Sequence, residues 1–306
     1  MNLVSVITVN FEQPAVTEAL LASIYSTTDL QLTEIIVVDN GSKYNPVPGW
    51  KIKYPDMRFI RSDVNLGFAG GNNLGIKQAQ GNYLFFVNND TEFTPGLVDT
   101  LTKLLDDHDE VGMVSPKIRY FDQPEMLQYM GYTSMNYFTA RNTCIGQFEV
   151  DKGQYDHLTG QTGYAHGAAM MVRKECIQKA GPMAENFFLY YEELDWCDHI
   201  KKAGYEVWLD AAALIYHKES VSVGKKSALK EYFMNRNRIL FIRRNAPFAA
   251  RVLFYIYFIL IVSPRNILNY IKEGNSGYIK WLLKAIWWNI TQTTTSKKLG
   301  YPIKTI

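Results

Sequence analysis

The run Phe85-Phe86-Val87-Asn88-Asn89-Asp90 ends an apolar stretch in a single carboxylate preceded by two amides. Such a stretch predicts a buried strand, and in an α/β sheet ligands gather where strands end. A hard cation, Mg²⁺ or Mn²⁺, that already holds a diphosphate needs few protein ligands, because phosphate oxygens and water fill most of its octahedron. Asp90 is therefore a candidate metal ligand. His217, which closes the run Ala213-Leu214-Ile215-Tyr216, is a candidate second ligand, and an imidazole favours Mn²⁺. Plainer readings stand beside these: Asp90 caps the turn into Thr91-Glu92, and His217 is a structural histidine at a strand end.

Three further groups of side chains suit the chemistry of a phosphorylated ligand. Asp39, before Asn40-Gly41-Ser42, is placed to meet a base or ribose, or else opens a plain Asn-Gly turn. In Asn65-Leu66-Gly67-Phe68-Ala69-Gly70-Gly71-Asn72-Asn73, the glycines allow close backbone approach, the amides donate without charge, and the helix that follows offers its N-terminus to a diphosphate. Neither a P-loop nor a GxGxxG fingerprint is present. Glu192, Glu193 and Asp195 open a helix, where acidic residues are favoured by the macrodipole in any case. They also follow Phe187-Phe188-Leu189-Tyr190-Tyr191, an aromatic wall beside which a sugar can stack and a general base can be desolvated. His166-Gly167-Ala168 permits close approach to a substrate, or His166 is a satisfied core histidine.

Strands alternating with helices must hold these residues. Apolar runs at 3–9 and 34–39 flank a helical stretch at 14–26, with further strands at 57–61, 82–87 and 111–116 and a helix at 70–80. Thr94 as N-cap and Pro95 at the first helical position predict a helix to about Asp107. Between 120 and 162 the periodicity fades, which predicts loops or short antiparallel strands around an acceptor. Strand and helix return at 163–172 and 174 onward, a helix at 192–203 is closed by Gly204, and strands at 207–209 and 213–217 end the core. The fold class expected is α/β, with a mostly parallel, Rossmann-like sheet flanked by helices.

Composition sets bounds on this picture. The 306 residues are 47% hydrophobic and 20% charged with a net charge of +2, which predicts a folded chain and gives no reason to expect nucleic acid. Cys144, Cys176 and Cys197 show neither a CxxC pair nor zinc spacing, and the N-terminal run has no signal-peptide pattern, so a reducing cytoplasm is expected. Positive charge collects locally between Lys218 and Arg251, Lys225 and Lys226 included. After it come the eleven residues Val252–Val262, stopped by Ser263-Pro264 and too few at about 1.5 Å each to cross about 30 Å of hydrocarbon, so no spanning helix is expected. Tyr278–Trp288, with Lys280 and Lys284 one turn apart among aromatics, predicts a helix lying in a membrane interface. A helical hairpin packed on its own domain, or on a second copy in a homo-oligomer, is the alternative.

In this order, Ser5–Asn10, Val37–Ser42, Asn65–Asn73, Asn88-Asn89-Asp90, His166–Met170, Glu192–Asp195, His217 and Arg236-Asn237 resemble the family 2 glycosyltransferases of GT-A fold, and within them the bacterial rhamnosyltransferase-like branch. The resemblance covers roughly residues 3 to 245. It implies a catalytic domain over 1–220, with a nucleotide-sugar half to about 116 and an acceptor half from 117, and a helical, membrane-associated region over 221–306. It implies that Asp39 contacts the base, that Asn65, Gly67, Gly70, Asn72 and Asn73 line the nucleoside diphosphate, and that Asn10, Asn89, His166, Gly167 and Arg236 serve substrate. It also implies that Asp90 and His217 hold the metal. The base is expected from Glu193, Asp195 and Glu192 in that order; Glu193 stands where the family usually has Asp, and His199 where it often has Arg. The implied activity is inverting, metal-dependent transfer, from dTDP-L-rhamnose or else a UDP-hexose or UDP-galactofuranose, to a lipid-linked saccharide at the inner face of the cell membrane. Rival classes are a non-catalytic sugar-nucleotide or lipid-binding module and a nucleotidylyltransferase, though the latter would want a basic, glycine-rich segment where Asn10-Phe11-Glu12-Gln13 stands.

Overall fold

The computed structural model describes residues 3–219 and 227–303. The expected boundary at residue 220 and the basic pair Lys225 and Lys226 lie outside them. Strands and helices alternate as β1 (Val4–Asn10), α1 (Pro14–Thr27), β2 (Thr33–Asn40), α2 (Val47–Lys53), β3 (Arg58–Ser62), α3 (Gly67–Ile76) and β4 (Tyr83–Asn88). There follow β5 (Thr91–Phe93), α4 (Leu97–Asp107), β6 (Val111–Tyr120), β7 (Leu127–Tyr129), β8 (Gly160–Gln161), β9 (Ala169–Arg173), α5 (Lys174–Ala180), α6 (Glu192–Lys202) and β10 (Glu206–His217).

One sheet runs β3-β2-β1-β4-β9-β6-β10-β5, with β7 on β6 and β8 on β10. The pairs β1–β2, β2–β3, β1–β4 and β6–β10 are parallel, while β9 enters antiparallel between β4 and β6 and β5 lies antiparallel on β10. Both faces are covered, which explains why β4 is a continuous apolar run rather than an alternating one. Phe85 packs in the layer of α1 and α4 with Leu20, Leu21 and Leu101, whereas its neighbour Phe86 meets Trp196 of α6 edge-on at 5.3 Å.

Local structure departs from the sequence expectation in three places. α4 is capped by Gly96 at φ 77° and not by Thr94, whose hydroxyl donates to Leu214 O at 2.5 Å and so ties the turn to β10. The two expected last strands are one, β10, with a register shift between Asp210 and Leu214. Most consequential, the helix does not stop at Ser263-Pro264. Helices α7 (Ala228–Asn245), α8 (Phe248–Tyr257), α9 (Ser263–Lys272) and α10 (Gly277–Thr291) follow the sheet, and α8 runs into α9 through a π turn at Phe258–Val262. That wider turn opens the hydrogen-bond ladder just where Pro264 cannot donate to it.

The result is a 25-residue helix, Phe248–Lys272, long and apolar enough by itself to cross a membrane. One of its faces is nevertheless fused to the core of the sheet: Phe254, Phe258 and Val262 are buried in the same cluster as Ile7, Phe86 and Trp196. Phe254→Ala should therefore cost about 3–5 kcal/mol and lower the single unfolding midpoint of the whole chain. Calorimetry showing an unchanged main transition would mean that the helix folds apart from the sheet.

Candidate active site

The carboxyl ends of β1, β2 and β4 open onto a cleft of about 460 Å³, whose wall includes Phe11, Asn40, Asn65, Gly67, Asp90, Tyr190 and His217. Antiparallel pairing sets Thr91 of β5 opposite His217 of β10, and Lys218 N donates to Asp90 O at 2.9 Å, so Asp90 and His217 meet from opposite ends of the fold. His217 Nε2 lies 3.1 Å from Asp90 Oδ1, and its Nδ1 lies 2.8 Å from Gln128 Oε1 on β7. Gln128 Oε1 fixes the ring by accepting at one nitrogen, and the other nitrogen faces the carboxylate. A carboxylate oxygen and an imidazole nitrogen converging in a cleft suit a divalent cation, and Mn²⁺ in particular. Among the described residues no cluster of three or more His, Cys, Asp or Glu side chains forms such a site, so a cation held here would take most of its shell from diphosphate and water.

His166 stands beside this pair, its ring 6.1 Å from that of His217 and 6.1 Å from that of Tyr132. Burial first, and His217 second, push its pKa down to about 3. It is therefore neutral, with Nδ1 accepting from Ala168 N at 3.1 Å and Nε2 left as a donor. Gly167 leaves room for Glu193: a Cβ on Gly167 would lie 3.4 Å from Glu193 Cγ.

The three acidic residues of α6 have distinct surroundings. Asp195 is buried and saturated, taking both forks of Arg244 at 2.8 and 3.0 Å and Asn245 Nδ2 at 2.7 Å. It ties α6 to α7 and is not free to act as a base, a correction to the expectation for this residue. Arg244 Nη2 also lies 3.4 Å from His199 Nε2, so a guanidinium from α7 stands beside the position where the resembling family often has Arg. Glu192 is 3% exposed with Oε2 unpartnered, and burial followed by the adjacent Glu193 raises its pKa well above the usual carboxylate range. Glu193 is half-buried, has no side-chain partner among the described residues, and is itself raised by burial. It is the one carboxylate of the three that is both unpaired and reachable.

Several residues expected to touch the nucleotide are spent on the scaffold. Asn10, Asp39 and Arg61 stand side by side on β1, β2 and β3, and Asp39 accepts from Asn10 Nδ2 at 2.8 Å and from Arg61 Nη1 at 2.6 Å while fully buried. Gly70 faces Leu66 inside α3, and a Cβ on Gly71 would lie 2.8 Å from Val9 Cγ1, so these glycines serve helix and helix-on-sheet packing. Asn72 Nδ2 donates back to Phe68 O at 3.0 Å, and Asn73 Nδ2 holds Met183 O and Glu185 Oε1, each at 2.9 Å. From this stretch Asn65 and Gly67 do reach the cleft. Gly67, at φ 74°, is required there, because a Cβ would collide with Phe188 O. Asn89 lines the cleft and donates to Thr17 Oγ1 at 3.1 Å. Arg236 is fully buried and cannot meet substrate; its guanidinium bonds the carbonyls of Asn186, Phe187 and Leu299 between the rings of Phe233 and Trp288.

Sequence reasoning missed Gln128, Arg61 and Arg244. Gln128 lies on a three-residue strand in the region of faded periodicity, and nothing local marks it. Arg61 had a usable signal, since it ends the strand expected at 57–61, and on β3 it stands in register with Asp39.

Residues 5–180 match the family model for glycosyl transferase family 2. The chain is 22% identical over 238 residues to N-acetylglucosaminyl-diphospho-decaprenol L-rhamnosyltransferase of Mycobacterium tuberculosis, covering 71% of this chain and 76% of that one. It is 24% identical over 260 residues to the low-salt glycan biosynthesis hexosyltransferase Agl10 of Haloferax volcanii, covering 81% and 80%. Its fold is similar to that of GalNAc-T7 solved with UDP, GalNAc and Mn²⁺, with a TM-score of 0.68 at 13% identity, over 95% of this chain and 57% of that one. The α/β fold is GT-A-like, as the sequence resemblance implied.

Glu193→Gln should lower turnover by about 10²–10⁴-fold while leaving thermal stability within about 0.5 kcal/mol of the parent. Asp195→Asn, which leaves Arg244 without its buried counter-charge, should cost about 3–5 kcal/mol in denaturant unfolding. The opposite pattern would reverse the roles of the two carboxylates.

Proposed function

The chain belongs to glycosyltransferase family 2, and on that premise we propose that it transfers a sugar, L-rhamnose from dTDP-L-rhamnose, onto a lipid-linked saccharide of a cell-surface polysaccharide. The observation that carries the catalytic part is the sorting of the acidic residues: Asp90 with His217 at the cleft, Glu193 unpaired nearby against Gly167. Support for the donor and acceptor comes from the rhamnosyltransferase relative, whose name includes a diphospho-decaprenol. A UDP-sugar is the second reading, favoured by the UDP held in the similar GalNAc-T7 structure.

In the proposed reaction Glu193 takes the proton of an acceptor hydroxyl. The oxygen then bonds to the anomeric carbon as the bond from that carbon to the diphosphate breaks, and the electron pair leaves with the diphosphate. One displacement inverts the centre and needs no second carboxylate nucleophile. Asp90 and His217 would hold the Mg²⁺ or Mn²⁺ that neutralises the departing diphosphate, with Gln128 keeping the imidazole oriented. Neutral His166 adds a donor without adding charge. Asn65, Gly67 and Asn89 face the nucleotide side of the cleft, whereas Asn10 and Asp39 act from beneath it. Burial of Glu193 moves the acid limb of activity upward, since the base must be deprotonated: kcat/KM should fall on acidification through a pKa above the usual glutamate range. Asp90→Ala and His217→Ala should each abolish Mn²⁺-dependent thermal stabilisation in the presence of dTDP or UDP, and turnover with it. Retained stabilisation in both variants would remove these residues from the metal site.

We also propose that the enzyme lies on the cytoplasmic face of the cell membrane, peripherally, without spanning it. The burial of Phe254, Phe258 and Val262 against the sheet domain leaves only the opposite face for lipid. That face exposes Leu253, Ile256, Ile259 and Leu260, the last 68% exposed, and α10 adds Leu283, Trp287 and Ile290, flanked by Lys280 and Lys284. Leu260→Glu combined with Trp287→Glu should abolish flotation with vesicles containing anionic phosphatidylglycerol while preserving donor hydrolysis. Undiminished flotation would place the membrane contact elsewhere.

A further inference from the structure

The segment that leads into Glu193, and lines the cleft with Phe188, Leu189 and Tyr190, is held in an unusual backbone. Phe188 (φ 67°, ψ −52°), Tyr190 (φ 72°) and Tyr191 (φ 74°, ψ −10°) all lie at positive φ, and none is glycine. L side chains rarely adopt such conformations, and several within four residues persist only where surrounding structure imposes them. Tyr191 is also the N-cap of α6, so the path of this segment sets where Glu192 and Glu193 emerge.

What imposes the path is visible in the carbonyls. Asn237 Nδ2 donates to Phe187 O at 2.9 Å, Leu189 O at 2.7 Å and Tyr190 O at 2.8 Å. Its neighbour Arg236 donates from Nη2 to Asn186 O and, at 2.9 Å, to Phe187 O, and its Nε holds Asn237 Oδ1 at 2.7 Å. Both side chains are fully buried on α7. With the Leu189 carbonyl turned toward α7, the Tyr190 N–H of the same planar peptide points the opposite way. From the other side, Phe68 N donates to Phe188 O at 2.7 Å across Gly67, so the same segment roofs the donor cleft.

We propose that Arg236 and Asn237 are positioning residues of the transfer reaction: they hold the peptide groups of 187–190 inward, and thereby hold the donor roof and the Glu193 base in one fixed arrangement. The inference rests on Glu193 being the base, but the clamp can be measured without that assumption. Rigid placement matters because a displacement of about 1 Å at a reacting group costs about 10²-fold in rate.

Asn237→Asp is close to isosteric and replaces a donor with an oxygen facing three carbonyl oxygens. Expected are a kcat lower by about 10²-fold with donor KM within about 3-fold, and faster hydrogen exchange confined to amides 188–194, with β1 and β4 amides unchanged. Exchange unchanged at 188–194, or kcat within about 2-fold of the parent, would overturn the proposal. Should Asn237→Asp not fold, Arg236→Lys, which keeps the charge and loses the fork, carries the same two readouts and the same criteria. Full activity of Glu193→Gln together with faster exchange at 188–194 in Asn237→Asp would instead remove Glu193 as the base and leave the clamp as a holder of the roof alone.

Discussion

The active site depends on one short antiparallel pairing, in which the three residues of β5 lie against the last three of β10. Asp90 and His217 are 127 residues apart in sequence, and this register puts Oδ1 and Nε2 within 3.1 Å. Everything on either side serves that junction. Thr94 fastens the turn after β5 to Leu214 O, and β7 presents Gln128 to the far nitrogen of the imidazole. A one-residue slip would turn His217 to the opposite face of the sheet and away from Asp90, because strand side chains alternate.

Helix α7 does a second kind of sorting. Arg244 near its end pairs with Asp195 and Asn245 hydrogen-bonds it, and Arg236 and Asn237 about two turns earlier bind the carbonyls ahead of Glu192. One helix therefore pairs one acid of α6 and holds the backbone that leads into the others. The same helix packs against α10, whose outer side carries Leu283, Trp287 and Ile290. The segment ahead of Glu192 and the exposed apolar face are thus joined through α7.

Much of this was legible in the sequence, for a physical reason in each case. Buried parallel strands must be short β-branched or aromatic runs, so β1, β2 and β4 announce themselves, and the amphipathic period marks α4 and α6. Asp90, Asn65 and Gly67 stand at strand or helix ends, where side chains or close backbone approach have few purposes other than ligands and turns. Less legible were residues whose partners come from distant segments. Asn72 and Asn73 look like free amides in sequence and are bound to Phe68 O, Met183 O and Glu185 in the fold. Pro264 looks like a helix stop, and a π turn absorbs it.

The sequence alone determined the alternation of strands and helices, the carboxylate at the end of β4, the acidic start of α6 and the apolar character of 248–288, because each follows from local propensity and periodicity. Only the tertiary structure decided which acid is paired and which is not, that Arg236 faces carbonyls, and that the long helix is covered on one side and exposed on the other. These are questions of which polar groups are satisfied and which surfaces are covered. Hydrogen bonds and burial are settled between segments far apart in the chain, and no local pattern carries that information.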